Sequence, residues 1–449
     1  MGFKQFMSIN ACKGTRWLLR KLKRGGTMFP GSVALKFDKE ILSQVSEGVT
    51  TIVVAGTNGK TTTALMLAEG LRASGYDCFS NSSGANMFGG ICAEYIMNTD
   101  KHGKPKKKLA VIECDEGSLK YVVPRVKPAV VLVTNVFRDQ LDRYGEVLET
   151  LRLIKDGIKD APGTLVLNGD CSLITTIGEG KNSLYYGFDI DIPYNKEEVN
   201  DVTRCIKCGA GMEYKSHSYG HLGDFYCPDC GYCKPHTEVG LTSYQYGLNG
   251  SKLQIRMGEE LYDVDLALPA VYNAYNALSA FAVFKALGIK PDGLIKTLKN
   301  MNSAFGRMET FDYQGKKIRM ILVKNPTGCN RVLDYLNAIP EELNFVVLLN
   351  DKENDGTDIS WIWDTDYGPY FENRKDLPVF TGGSRRDAMA LRLKYAGAEN
   401  ITICNSYEEV FDKITEGDRN SVILPNYTCM LAMRKILQSK CGGKEFWEN

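Results

Sequence analysis

Apolar runs rich in β-branched residues recur along the 449-residue chain, separated by stretches whose apolar positions return every three or four residues. From residue 51 to about 170 the runs fall at 51–54, 109–112, 129–134 and 164–167. Runs that are apolar throughout, with no alternation, predict strands covered on both faces, and the helical stretches between them predict crossovers. A mostly parallel sheet with helices on both faces follows. The same alternation resumes near residue 316, with runs at 318–323, 345–349, 379–381 and 422–424, and predicts a second, Rossmann-like α/β domain. In the first thirty residues Trp17, Leu18, Leu19 and Leu22 sit among Lys13, Arg16, Arg20, Lys21, Lys23 and Arg24. This predicts a basic amphipathic helix whose apolar stripe either packs on the next domain or touches a membrane surface. Gly25, Gly26 and Phe29-Pro30-Gly31 predict its end. The domain organisation expected is a basic helical segment over 1–45, a central domain over 46–312 with an insertion at about 201–240, and a last α/β domain over 313–449.

With 43% hydrophobic and 24% charged residues, the chain can build two or three domains with cores. Fifty-five basic against fifty-four acidic residues leave no global field to recruit nucleic acid. No apolar run approaches a membrane span, and a secretory leader pattern is absent, so a cytoplasmic protein is expected. The fourteen cysteines are scattered save for one cluster, which suits free thiols plus a metal site better than a disulfide framework.

The densest chemistry lies at Thr51 to Thr63, TIVVAGTNGKTTT, where a strand run meets a glycine turn and then a lysine with hydroxyls opening a helix at about Thr62. Gly56, Thr57, Asn58 and Gly59 would turn backbone amides toward a bound phosphate. Lys60 would reach the β and γ phosphates of ATP, and Thr61 would place its hydroxyl on Mg2+. Thr62 and the positive end of the helix complete the candidate nucleotide site. The spacing departs from the Walker pattern, since Val54 stands where the first glycine would be. Glu113 closes the next apolar run, in Glu113-Cys114-Asp115-Glu116-Gly117, where a strand end delivers a carboxylate to the metal of a nucleotide.

Cys205, Cys208, Cys227 and Cys230 form C-x2-C-x18-C-x2-C with a glycine after each pair. Two such knuckles predict four thiolates around a structural Zn2+, with no coordination position left for chemistry. Cys233, His217, His221 and His236 could substitute as ligands and are bystanders by default. The surroundings, with Glu213, Asp224, Asp229 and Glu238, are not basic, which argues against nucleic acid as a partner of the ribbon.

GTNGKTT, the strand-end Glu113, Thr134-Asn135 followed by Asp139, Asp142, Arg143 and Tyr144, and Tyr272-Asn273-Ala-Tyr275-Asn276-Ala277 resemble the ATP-binding domain of Mur ligases and folylpolyglutamate synthases. That superfamily joins amines to carboxylates through an acyl phosphate. The resemblance implies that Asn276 meets the nucleotide base and that Arg307, in Phe305-Gly306-Arg307-Met308-Glu309, lies near the phosphates at a hinge. Gln140 stands where several members have a metal-binding histidine, and Lys155 falls near the place of a carbamylated lysine, though a helix-surface lysine is the reading preferred here. The ribbon, together with Asn350 to Asp366 and Leu424-Pro425-Asn426-Tyr427-Thr428, is similar to the MurT family, the ligase subunits of lipid II isoglutaminyl synthase. That likeness implies ATP-dependent activation of the α-carboxyl of D-glutamate in the lipid II stem peptide and its amidation to D-isoglutamine. The likeness also implies that ammonia comes from a glutaminase subunit, GatD, and the chain is consistent with this in having no G-x-C-x-G elbow of its own. It further implies that an aspartate of the last domain orients the histidine of the glutaminase; Asp358 is placed in that role, with Asp355 second. Contact with the inner face of the membrane would come through the lipid-linked substrate. Three other readings stay open: a ligase of the same fold that adds an amino acid, a ribbon protein that binds nucleic acid and uses the loop as a nucleotide sensor, and a kinase or simple ATPase.

Overall fold

The computed structural model describes residues 2–22, 27–81, 85–137, 147–191, 202–247, 250–301, 307–337 and 341–442. They form two compact units, the first comprising 2–137, 148–267 and 271–301 and the second chiefly the residues from 307 onward.

The first unit is built on nine strands: β1 (Thr50–Ala55), β2 (Cys78–Ser80), β3 (Leu109–Glu113), β4 (Val130–Val133), β5 (Thr164–Asn168), β6 (Ser183–Phe188), and, beyond the hairpin β7 (Glu213–Tyr219) and β8 (Leu222–Tyr226), β9 (Val239–Gly247), β10 (Gly250–Met257) and β11 (Glu260–Leu266). Their order is β11-β10-β9-β6-β5-β4-β1-β3-β2. Every pairing from β2 to β9 is parallel, while β10 and β11 add an antiparallel edge. Chain order reverses around β1, which lies between β3 and β4, so loops leaving β1 and β4 face each other across a switch point. Ile52, Val53 and Val54 are fully buried, as a strand covered on both faces requires. The helix Val271–Ala286 is apolar or small nearly all round and is correspondingly buried, passing behind the sheet.

At the N-terminus the helix Phe3–Lys21 is followed by a second, Phe29–Phe37. The Phe29-Pro30-Gly31 signal therefore opens a helix where only an end was expected, because proline fits the first turn, where no partner is needed for its missing N–H. Gly31 permits close packing: a Cβ there would lie 1.8 Å from the Gly89 carbonyl oxygen on the helix Phe88–Met97. Among the described residues no helix is long and apolar enough to cross a membrane.

The second unit carries β12 (Arg307–Tyr313), β13 (Lys316–Ile321), β14 (Asn344–Leu348), β15 (Val379–Gly382), β16 (Ile401–Ile403) and β17 (Ser421–Pro425), in the order β12-β13-β17-β14-β15-β16. All pairings are parallel except β12 with β13. Successive residues of β14 serve opposite cores, Phe345 and Val347 one, Val346 and Leu348 the other. The hairpin turn at Gln314 and Gly315, both at positive φ, ties β12 into this sheet, so the strand belongs with the second unit and the expected division at 312 falls within it.

Candidate functional site

β1 ends at Ala55, and the chain turns through Gly56 (φ 116°) and Gly59 (φ 85°) into the helix Lys60–Ala73, which begins two residues earlier than the sequence suggests. Both glycines are required sterically as well as conformationally. A Cβ on Gly56 would lie 2.4 Å from Thr134 Oγ1, and one on Gly59 would lie 2.2 Å from Asn276 Oδ1. The loop is held from β4: the Asn58 amide donates to Asn135 Oδ1 at 2.9 Å, Thr134 Oγ1 donates to the Asn58 carbonyl at 2.7 Å, and the Thr57 amide donates to the Asn135 carbonyl at 2.9 Å. Thr134-Asn135 thus braces the phosphate loop across the switch point. Asn276 sits buried beneath Gly59, its Oδ1 accepting from Thr63 Oγ1 at 3.3 Å and its amide nitrogen donating to Asn273 Oδ1 at 3.2 Å.

Lys60 folds back over the loop. Its Nζ donates to the carbonyls of Gly56 (2.5 Å) and Thr57 (3.3 Å) and pairs with Glu116 Oε1 at 2.8 Å. Both side chains are nearly buried, and burial pushes the Glu116 carboxyl above its ordinary range against the pull of the lysine. Glu113 ends β3 in register with Val54 of β1. Its backbone is clamped by Asn81, whose Oδ1 accepts from the Glu113 amide (2.9 Å) and whose Nδ2 donates to its carbonyl (2.7 Å), and Asn86 Nδ2 donates to its carboxylate at 2.9 Å. Lysine, two carboxylates, helix start and backbone turn therefore meet at the ends of adjacent parallel strands, a set that can bind a phosphate chain with its metal. Thr61, partly exposed, and Thr62, buried, lie in the first turn of the helix. Arg307 opens β12, but its side chain is outside the described residues, as are Asp139, Gln140, Asp142, Arg143, Tyr144, Phe305 and Gly306. Lys155 is half-buried on the helix Val147–Ile158, in keeping with the helix-surface reading.

Residues 202–236 form the insertion. The thiols of Cys205, Cys208, Cys227 and Cys230 lie within 4.8 Å of one another. A tetrahedral ion with metal–sulfur bonds of about 2.3 Å needs sulfurs about 3.8 Å apart, so the four fit one ion. Gly209 (φ 79°) and Gly231 (φ 72°) close the two knuckles, each donating its amide to the carbonyl of the first cysteine of its pair. The opposite end of the insertion, the β7–β8 turn, docks on the central sheet. Phe137, just beyond β4, packs on Tyr219 (centroids 4.9 Å apart) and on His221 (4.5 Å). His221 is fully buried with Cys171 Sγ 3.6 Å from its Nε2, away from the four thiols, and burial pushes its pKa down to about 3. Asp170, after β5, accepts from the Phe188 amide (2.9 Å) and Tyr275 hydroxyl (2.6 Å), pairs with Lys234 (2.7 Å), and its carbonyl accepts from the Gly223 amide (3.0 Å). One buried carboxylate joins sheet, insertion and the helix that carries Asn276.

In the second unit Asp355 is buried and committed: Oδ1 accepts from the Thr428 amide at 2.7 Å and Oδ2 from the Thr428 hydroxyl, gripping the first turn of the helix Tyr427–Cys441. Asp358 is half-exposed, its Oδ1 accepting from the Ser360 amide at 2.8 Å at the start of the 3-10 turn Ser360–Ile362. Trp361 packs against the core, whereas Trp363 is half-exposed with Arg392 over its ring at 5.5 Å and Tyr395 edge-on at 5.8 Å.

Glu116, Asn81, Asn86 and Asp170 join the site without a role expected from the sequence. Glu116 carried a signal, since it stands in the same acidic run as Glu113; the other three are recognisable only once strands bring distant loops together.

A Mur ligase middle domain family matches residues 54–221, and a MurT ligase C-terminal family matches 322–430. The chain is 34% identical over 451 residues to a lipid II isoglutaminyl synthase (glutamine-hydrolyzing) subunit MurT from Streptococcus pneumoniae, covering 98% of each chain. It is 32% identical to the protein of the same name from Staphylococcus aureus strain COL, covering 98% of this chain and 99% of that one. Among solved structures, a pseudomurein peptide ligase type C from Methanothermus fervidus shares the fold with a TM-score of 0.70 at 21% identity, over 91% of this chain and 83% of that one. A folylpolyglutamate synthase from Mycobacterium tuberculosis does so with a TM-score of 0.64 at 15% identity, over 98% and 99%.

Proposed function

The chain belongs to the MurT family, a ligase family of cell-wall synthesis, and from that premise we propose that it is the ATP-consuming subunit of a lipid II amidation enzyme. Its substrates would be ATP, the α-carboxylate of the D-glutamyl residue in the lipid II stem peptide, and ammonia. The observation that carries the reading is the meeting of Lys60, Glu113 and the Gly56–Gly59 turn at adjacent strand ends, in a chain matched end to end by MurT subunits.

A carboxylate is a poor electrophile. Its oxygen attacks the γ phosphorus of ATP and ADP leaves, giving an acyl phosphate; ammonia then attacks the acyl carbon, phosphate departs and a proton is lost to give the amide. Mg2+ held by Thr61 and Glu113 would supply charge neutralisation on the β and γ oxygens. Lys60 would exchange Glu116 for those phosphates, and the amides of Gly59 to Thr62 at the helix start would hold the nucleotide in line, since those of Thr57 and Asn58 are given to Asn135. The family resemblance gives Asn276, buried beneath Gly59, the contact with the nucleotide base, and Arg307 a place near the phosphates. The Cys205, Cys208, Cys227 and Cys230 set would hold Zn2+ as a structural ion, since four sulfurs leave no open position.

Ammonia would be delivered by the glutaminase subunit GatD. Of the two aspartates considered for the histidine of that partner, Asp358 suits the role, because both oxygens of Asp355 are occupied by Thr428. The test is to supply the purified chain with ATP, ammonium and lipid II and to follow the precursor by mass spectrometry. Replacement of one hydroxyl by an amino group, with ADP and phosphate released, is expected. Incorporation of an amino acid in place of ammonia would overturn the proposal in favour of a Mur- or folyl-type ligase.

A further inference from the structure

The helix Phe3–Lys21 buries Ser8, Ile9 and Cys12, and Ser8 Oγ donates to the Ala34 carbonyl at 2.6 Å, which fixes that side on the helix Phe29–Phe37. At the helical repeat, Phe3, Phe6, Asn10, Trp17 and Lys21 share the opposite stripe. Phe3 is 79%, Phe6 47% and Trp17 63% exposed, with Leu18 beside them at 49%. Scattered exposed apolar residues need no explanation, but three aromatics on one stripe of one helix do.

We propose that this outward face is a docking surface for an anionic lipid bilayer. The occupant is argued from charge. The first 37 residues hold five lysines, three arginines and no acidic residue, although the whole chain has a formal net charge of only +1. Two bases of the helix are spent internally: Arg16 pairs with Glu94 at 2.9 Å, and Lys13 donates to the Thr99 carbonyl at 2.9 Å. Lys4, Arg20 and Lys21 are exposed and have no ion pair among the described residues, and Lys21 Nζ stands 5.2 Å over the Trp17 ring. Aromatic rings on a stripe bordered by unpaired bases and lacking any carboxylate match the boundary between lipid phosphates and acyl chains. The surface deepens the proposed function, since a lipid-linked precursor offers its stem peptide at a bilayer face, and a docked chain would search for it in two dimensions.

The full-length chain is mixed with vesicles of phosphatidylcholine alone or with phosphatidylglycerol added, without nucleotide or precursor, and sedimented. Binding to the anionic vesicles only, weakened by salt, is expected. Lys21→Glu should lower the partition by about fivefold or more per charge removed. Phe3→Ser combined with Trp17→Ser should lower it by at least about tenfold. Both positions are exposed, so an unchanged melting temperature and unchanged ATP binding would show that the variants fold. Equal sedimentation with both vesicle types, or wild-type partition by the double variant, overturns the proposal; so does conversion of a dimer to a monomer by the double variant without vesicles, which would assign the face to a second copy. Vesicle binding that persists while no amidation is found would overturn the functional reading and leave the docking surface standing.

Discussion

His221→Phe should flatten the dependence of stability on pH in mildly acid solution. In the folded protein the His221 ring is fully buried at the tip of the zinc-type insertion, against Phe137 and Cys171, and burial holds its pKa down to about 3 from 6.5. The unfolded chain therefore takes up a proton near pH 6.5 that the folded chain refuses. The contribution of this group to stability is therefore fully present above pH 6.5 and is lost as pH falls toward 3. Each pH unit below 6.5 should cost about 1.4 kcal/mol. Between pH 6.5 and 5.0 the wild type should thus lose about 2 kcal/mol that the variant keeps. Urea unfolding at several pH values measures both slopes. Because the two proteins share the same cysteines, thiolate protonation cancels in the difference, and any packing cost of the larger ring shifts the absolute stability without changing the slope. Parallel slopes would refute the reasoning and mean that His221 titrates in the fold, with the insertion tip open to water.

Glu116→Gln should release Lys60 from its buried partner and tighten ATP binding by up to about tenfold, or about 1.4 kcal/mol, measured by calorimetric titration with a non-hydrolysable analogue. Weaker binding would instead give Glu116 a direct part in holding the metal. Elemental analysis should find one zinc per chain in the wild type and none in Cys208→Ser combined with Cys227→Ser, whose insertion should become protease-sensitive; an intact insertion without metal would remove the structural role. Asp355→Asn should cost about 2 kcal/mol of stability by weakening the grip on Thr428, whereas Asp358→Asn should fold normally and lose glutamine hydrolysis in the presence of GatD. Unchanged hydrolysis in Asp358→Asn, with loss in a stably folded Asp355→Asn, would reverse the two roles.

Local chemistry was legible before any tertiary contact was known. Val54 to Lys60 announces a phosphate turn because glycine, lysine and a buried strand act within a few residues, and the two C-x2-C pairs announce a metal because ligand spacing within a knuckle is local. Strands covered on both faces betray themselves by continuous apolar runs, which is why both α/β units could be read, whereas the antiparallel edge strands β10 and β11 alternate with solvent and left a weaker trace.

What the chain order could not convey was which loops share a strand end. Sheet order places β4 and β3 on either side of β1, and only that arrangement makes Thr134-Asn135 a brace, Glu116 the partner of Lys60 and Asp170 the joint between sheet and insertion. Asp355 and Asp358, three residues apart in sequence, differ in environment for the same reason: β17 ends where Thr428 can satisfy one carboxylate and not the other. Sequence determined which chemistries the protein carries, since those are written in residue type and short spacing. Tertiary structure decided which groups act together, because burial and hydrogen bonding across strands depend on distances through space.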